Sequence, residues 1–231
     1  MKYLIVFISV FYSLSSLAFD RLGFTAGGAS DEQQIAIDGS RFWRVGDSKF
    51  YLGTGIRLTS QWSNDQTFKT APAELTRGEE GLGSIFRQEK KSNIDELTLG
   101  QSHITSLNIL FQILYQLDHL WAVGFNIDIF GYSYGEKRKG RYNPRSEDGQ
   151  WPDKVSARPS EFNLLLGDDN DRGSLNSELY VLRKVSEKWA MKFGVVHAFT
   201  EYETNQRLRK DNDRFRKKNY LPTIGIVRVF Q

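Results

Sequence analysis

Histidine is the side chain most often used as a base near neutral pH, and the chain of 231 residues has three: His103, His119 and His197. No cysteine occurs, which removes thiol catalysis, thiolate metal sites, disulfides and an acylated cysteine. His119 falls in a short polar turn. His103 and His197 fall on different segments with the parity of an apolar face. Neither has a serine at the two-residue spacing of the lipid-deacylase pattern, so they are the only candidate bases of a weak enzyme reading. The expectation is no catalytic residue, no cofactor and no metal site. The acidic run Asp168-Asp169-Asn170-Asp171-Arg172-Gly173 has calcium-type oxygens, but the position twelve on from Asp169 is Tyr180 rather than glutamate. It reads better as a solvated turn.

Two further groups of charges stand out. Arg57, Asp128, Glu178 and Lys192, with Asn108 and Gln112, each sit inside an otherwise apolar segment on its small or polar side. They form a candidate internal network, in which Arg57 is expected to pair with Asp128 or Glu178. The second group is basic: Arg207, Arg209, Lys210, Arg214, Arg216 and Lys217 in a stretch with few acids. Arginine matches phosphate with a bidentate fork, so this stretch is a candidate contact for lipopolysaccharide phosphates. A solvated loop is the equal alternative.

The elements that would carry these residues are strands. In 107–117 the odd positions are Leu107, Ile109, Phe111, Ile113, Tyr115 and Leu117, while Asn108, Gln112 and Gln116 lie between them. After Asp118-His119-Leu120 the alternation resumes, with Trp121, Val123, Phe125, Ile127 and Ile129 on one face. A period of two places successive side chains on opposite faces of a sheet. One face is large and apolar, the other small and polar, as a strand with lipid outside and a polar lumen inside requires. Eight such segments are expected, at roughly 20–29, 34–44, 49–62, 103–117, 121–135, 174–186, 189–204 and 219–230. Their connections separate into short turns on one side and long polar loops, 63–102, 136–173 and 205–218, mostly on the other. The fold class expected is all-β: an eight-stranded antiparallel up-and-down transmembrane β-barrel. Gly39 with Ser40 is a candidate bulge in the second strand. Leu175 and Phe199 are assigned to the lipid face.

Composition fits this reading. Hydrophobic residues make up 39% of the chain and aromatics 13%, and the net charge is +3. Mean hydropathy is −0.47, which suits strands whose inner half is polar. The charge is too balanced to argue for nucleic acid. Residues 1–18 carry Lys2, an apolar run from Tyr3 to Leu14, and the small residues Ser16 and Ala18. They read as a secretory signal peptide, with the barrel domain occupying 19–231.

The final segment, Ile224-Gly225-Ile226-Val227-Arg228-Val229-Phe230-Gln231, resembles the C-terminal strand of bacterial outer-membrane proteins, although the phenylalanine is penultimate and Arg228 interrupts the outward apolar series. In architecture the chain resembles the small eight-stranded class, the opacity and OmpA-type or OmpX-like barrels. The resemblance implies bacterial origin, an outer-membrane location and insertion by the barrel assembly machinery; outer-membrane lipid and lipopolysaccharide are the partners expected there. It implies no particular activity. The role expected is structural or interactive, carried by outer loops or by a protein partner in the cell envelope, with the lumen plugged by side chains. The alternatives are a narrow transport barrel for small or hydrophobic solutes, a lipid A-modifying enzyme, and a soluble lipocalin-like barrel.

Overall fold

The computed structural model describes residues 19–78, 88–146, 149–167 and 170–230. The proposed signal segment 1–18 and two members of the acidic run, Asp168 and Asp169, lie outside the described residues. Among the described residues there are eleven strands rather than eight: β1 (Arg21–Ala29), β2 (Glu32–Arg44), β3 (Phe50–Thr70), β4 (Glu96–Gln116), β5 (Trp121–Tyr134), β6 (Arg138–Asn143), β7 (Lys154–Pro159), β8 (Phe162–Leu164), β9 (Leu175–Lys184), β10 (Trp189–Thr204) and β11 (Arg214–Val229). Among the described residues one short α-helix, α1 (Ala73–Arg77), follows β3.

Eight of these strands close on themselves. β1 pairs with β2, β2 with β3, β3 with β4, β4 with β5, β5 with β9, β9 with β10, β10 with β11, and β11 back with β1, all antiparallel. Closure leaves no free edge, so the backbone N–H and C=O groups around the ring find partners within it. These eight are the strands read from the alternation. Pairing runs through Gly39 and Ser40 without a register shift against either neighbour, so the expected bulge there is corrected. A register shift occurs in β5 instead: Ile109 faces Phe130, but Leu110 faces Asp128. Ile129 is the extra residue. Beyond it the parity reverses, so Tyr132 and Tyr134 point outward although Ile127 and Ile129 set the opposite phase below.

The long connections are partly strand, at 63–70, 96–102, 138–143, 154–159, 162–164 and 214–218, which corrects their reading as loops throughout. β3 and β4 each run 21 residues, about 70 Å along the strand at roughly 3.3 Å per residue. That is about twice what a bilayer crossing needs. Above Asn64 both strands exchange faces. Asp65 adopts a left-handed backbone, φ 48°, opposite Gly100, which falls in the same gap between the pairs Asn64–Gln101 and Gln66–Leu99. Below this point Arg57, Thr59, Gln61 and Ser63 point inward; above it Gln66, Phe68 and Thr70 do.

The extended parts build a second closed ring of six strands on top of the first. Its pairs are β3–β4, β4–β6, β6–β7, β7–β10, β10–β11 and β11–β3. This upper ring is filled by an apolar core that includes Phe68, Leu97, Leu99, Tyr142, Tyr202 and Phe215. Phe68 meets Tyr202 edge-on at 5.1 Å between ring centroids, and Tyr142 meets Phe215 at 6.0 Å, geometries aromatic rings prefer. Burial pushes the Tyr202 phenol up to about 12. Leu175 and Phe199 are buried here, not facing outward. Phe199 is covered by the Arg216 guanidinium, 4.9 Å from its ring centre.

Truncating Phe215 to alanine should cost about 3–5 kcal/mol, as for other large buried aromatics. The loss should be local. Limited proteolysis should open the segment 138–164 in this variant, while the eight-strand ring keeps its detergent-resistant gel mobility. Equal resistance of both variants to protease would show that the upper ring does not depend on this core.

Candidate functional site

The six residues expected inside the lower ring meet at mid-height, each 4% exposed or less. Alternation on β3, β4, β5, β9 and β10 turns each side chain inward. Arg57 Nη2 lies 2.5 Å from Asp128 Oδ1, and its Nε donates to the same oxygen at 3.0 Å. Arg57 also reaches Glu178, with 3.9 Å from Nη1 to Oε2, and donates to Asn126 Oδ1 at 2.7 Å. Both carboxylates are therefore partners, where the sequence left the choice open. Lys192 Nζ holds Glu178 Oε2 at 2.6 Å and sits 4.7 Å from the ring centre of Tyr180.

Neutral groups complete the network. Asn108 Nδ2 donates to Asp128 Oδ2 at 2.9 Å. The Asn176 backbone N–H donates to the same oxygen at 2.9 Å. Thr223 donates to Glu178 Oε1 at 3.1 Å. Gln112 donates to Ser40. In this network two cations, Arg57 and Lys192, face two carboxylates, Asp128 and Glu178, and Asp38 stands opposite Arg57 in the β2–β3 ladder. Asn163, which donates to Asn108 Oδ1 at 2.7 Å, had no sequence signal, because β8 is only three residues long within a polar stretch. Below the network, Leu114, Ala122, Tyr180, Leu182, Ala190 and Val227 form an apolar plug. The cavity beneath it at the short-turn end measures about 230 Å³.

The six basic residues expected to face lipopolysaccharide are mostly turned inward, which corrects the picture of a solvated loop. Arg214 and Arg216 both bind Glu201 Oε2 at 2.9 Å. Arg209 Nη2 binds Asp95 Oδ1 at 2.7 Å. Lys217 Nζ binds Glu32 Oε2 at 2.8 Å. Glu32, Asp95 and Glu201 are buried on the facing elements and need counter-charges. Only Arg207 and Lys210 remain exposed, and Arg207 is paired with its neighbour Asp211. Tyr142 donates to Asp95 Oδ2 at 2.9 Å; burial and that carboxylate raise its phenol well above the ordinary value.

The histidines do not assemble a catalytic centre among the described residues. His119 lies in the turn, beside Asp118, whose carboxyl is held low by the N–H groups of Leu120 and Trp121. His197 packs on Tyr220 at 4.8 Å. His103 Nε2 lies 2.9 Å from Ser60 Oγ across β3 and β4, a pairing that spacing along the chain could not show. Ser60 is ladder-paired on both sides, to Ile35 and Thr105, so the backbone donors around it are committed and form no oxyanion hole. Among the described residues His103 has no carboxylate partner.

No known protein family and no curated protein matches the chain. Among solved structures it is similar to Neisserial surface protein A, at 9% identity over 91% of this chain and 94% of that one, with a TM-score of 0.36. It is also similar to a Pseudomonas aeruginosa FadL homologue, at 13% identity over 87% and 68% of the two chains, TM-score 0.26. A third is the KdgM porin, at 8% identity over 91% and 99%, TM-score 0.25. The functional reading below rests on the chain's own geometry.

Replacing Arg57 by alanine strands two buried carboxylates and should destabilise by about 3–5 kcal/mol. The double variant Arg57→Ala with Asp128→Ala should lose less than the two single losses added, by about 0.5–3 kcal/mol. Urea titration of the folded band on unboiled gels measures both. Strict additivity would mean the pair is not coupled.

Proposed function

We propose that this chain is an integral outer-membrane β-barrel protein of structural or interaction type, with a plugged lumen and its role carried by the six-strand tower above the membrane. One observation carries this reading: the ring is inside out relative to a soluble sheet. Ile56, Leu58, Leu107, Ile109, Phe125, Leu179, Phe193 and Ile224 are exposed large apolar side chains on its outer face. Four charges sit in its interior. So much contiguous exposed apolar surface is untenable in water and is what a bilayer requires of a barrel.

The ends of the apolar belt support the same reading. Trp43, Trp121 and Trp189 lie toward the short turns, and Trp62, Tyr132, Tyr134 and Tyr220 toward the tower, as aromatic girdles do. Arg41, Arg183 and Arg228, outward charges near the short turns, lie over Trp43, Trp121 and Trp189 at 5.7, 5.4 and 5.7 Å. There a guanidinium can reach the headgroups along its own stem. Residues 1–18 would then direct export and be removed. The tower, including β6 and β7, would face outside the cell, and the turns at 118–120 and 187–188 the periplasm. A lumen blocked by the ion pairs and the apolar plug argues against the transport alternative.

Three measurements test the proposal. The protein should fractionate with the outer membrane and shift its gel mobility on boiling. An epitope inserted beside Gly149 should bind antibody on intact cells, and one at His119 should not. Planar-bilayer recordings should show no steady conductance steps; regular steps would overturn the plug and favour a transport barrel.

A further inference from the structure

The exposed cations form a row on one side of the tower, away from the segment the sequence pointed to. β6 and β7 make a hairpin whose outer face carries Lys139, Arg141, Lys154 and Arg158, with Lys137 just before β6. Arg141 and Lys154 stand directly opposite one another in the ladder. Like charges in that position destabilise a strand pair. Lys137, Lys139, Arg141 and Lys154 form no ion pair with any described residue. The carboxylates near the row are Glu161, which pairs with Arg158 at 2.7 Å in a contact more than half exposed, Glu203, directly opposite Arg158 on β10, and Glu96, outward on β4 beside the strand position of Arg141. Glu136 and Asp153 adjoin Lys137 and Lys154 in sequence, and Glu136 pairs with Arg138. The cations of the row left without an ion pair among the described residues are Lys137, Lys139, Arg141 and Lys154.

The lower end of the row opens into a groove of about 600 Å³. Its floor is Leu58, Leu107 and Tyr132, the top of the apolar belt, and its rim holds Tyr134, Lys137 and Arg158. Tyr132 is 60% and Tyr134 80% exposed, so two aromatic rings are accessible at the boundary between belt and tower, Tyr132 resting edge-on against Phe162 at 5.8 Å. Apolar floor, aromatic rim and a climbing line of cations call for a ligand of matching order: acyl chain, saccharide, then more than one anionic group.

We propose that this groove and the β6–β7 face bind a phosphorylated, acylated glycolipid of the lipopolysaccharide class. An acyl chain lies over Leu58 and Leu107, a sugar ring packs on Tyr132 or Tyr134, and phosphates meet Lys137 and Arg158. Phosphates further along the saccharide meet Lys139, Arg141 and Lys154, which relieves the repulsion across the ladder. The proposal rests on the membrane reading above.

The test uses the full mature chain in nanodiscs of neutral lipid, with diphosphorylated lipid A carrying its inner saccharide as the probe. Lys137, Lys139, Arg141, Lys154 and Arg158 are replaced together by glutamine. All five point outward and are ladder-compatible, so the boiling-dependent gel shift should persist. Affinity should fall by about tenfold or more, since each charge-assisted hydrogen bond contributes at least that order. Arg207→Gln with Lys210→Gln should leave it unchanged. Dephosphorylated probe and phosphatidylglycerol should each compete at least tenfold less well. Unchanged affinity in the five-residue variant would overturn the site, and equal competition by phosphatidylglycerol would overturn the glycolipid. A chain that does not enter bilayers at all would instead overturn the membrane reading.

Discussion

A carboxylate taken out of water must meet a cation, and this structure is arranged around five that are buried: Glu32, Asp95, Asp128, Glu178 and Glu201. Four of them meet a cation far away in sequence, and Glu201 meets Arg214 and Arg216 on the following strand. Arg57 reaches Asp128 across 71 positions, Arg209 reaches Asp95 across 114, and Lys217 reaches Glu32 across 185. An ion pair in a dry interior is weak evidence for stability, because desolvation offsets much of the attraction. Its consequence is specificity. A one-residue slip of β3 against β4 would turn Arg57 to the outer apolar face and strip Asp128 and Glu178 of it inside, so the charges favour the register that closes the ring. The same logic recurs higher up, where Glu201 ties Arg214 and Arg216 of β11 to β10, and Asp95 ties the 209–211 turn to the start of β4.

The eight strands of the lower ring were legible because an apolar outer face and a filled polar interior make alternation nearly strict. Arg57, Asn108, Gln112, Asp128, Glu178 and Lys192 were legible for the same reason: a charge in an otherwise apolar strand betrays an inward position. The tower was not. At Asp65 and Gly100 both strands of one hairpin change face together, so a reading that follows parity upward from Leu58 or Ile109 loses phase. Above the break no lipid enforces an apolar outer face, and β6, β7 and β8 are six, six and three residues long. Such short segments rich in Arg, Lys and Asn look like loop. The basic stretch misled for a related reason. Arg209, Arg214 and Arg216 look solvent-facing until Asp95 and Glu201 are known to be buried beside them, and that depends on long-range pairing.

The two rings are coupled through shared strands. β3, β4, β10 and β11 run through both, while β1, β2, β5 and β9 end at the lower one and β6 and β7 belong to the upper. The upper ring therefore cannot swing as a loop would. Its apolar core sits over the polar lumen, and the Glu32 and Glu201 clusters, both reached from β11, lie between the two interiors. Layers of opposite character are stacked this way: the polar middle lies between Leu114, Leu182 and Val227 below and Phe68, Phe215 and Tyr202 above.

Function is then pushed to the outside of the molecule. A chain built only to span a bilayer could turn back at Trp62 and His103 with a short loop. This one continues two strands for several more residues each and closes them into a rigid, filled ring. A mobile loop would lose conformational entropy each time it was ordered against a ligand, of the order of 1–2 kcal/mol per residue. The six-strand ring has lost that freedom on folding, so any contact it makes meets a preorganised surface. What that surface presents is uneven. The β6–β7 side carries Lys137, Lys139, Arg141 and Lys154 without an ion pair among the described residues, above exposed aromatic rings. The β10–β11 side has turned Glu201, Arg214 and Arg216 inward. The two sides therefore differ in the charge they present, and rigidity keeps that difference in place.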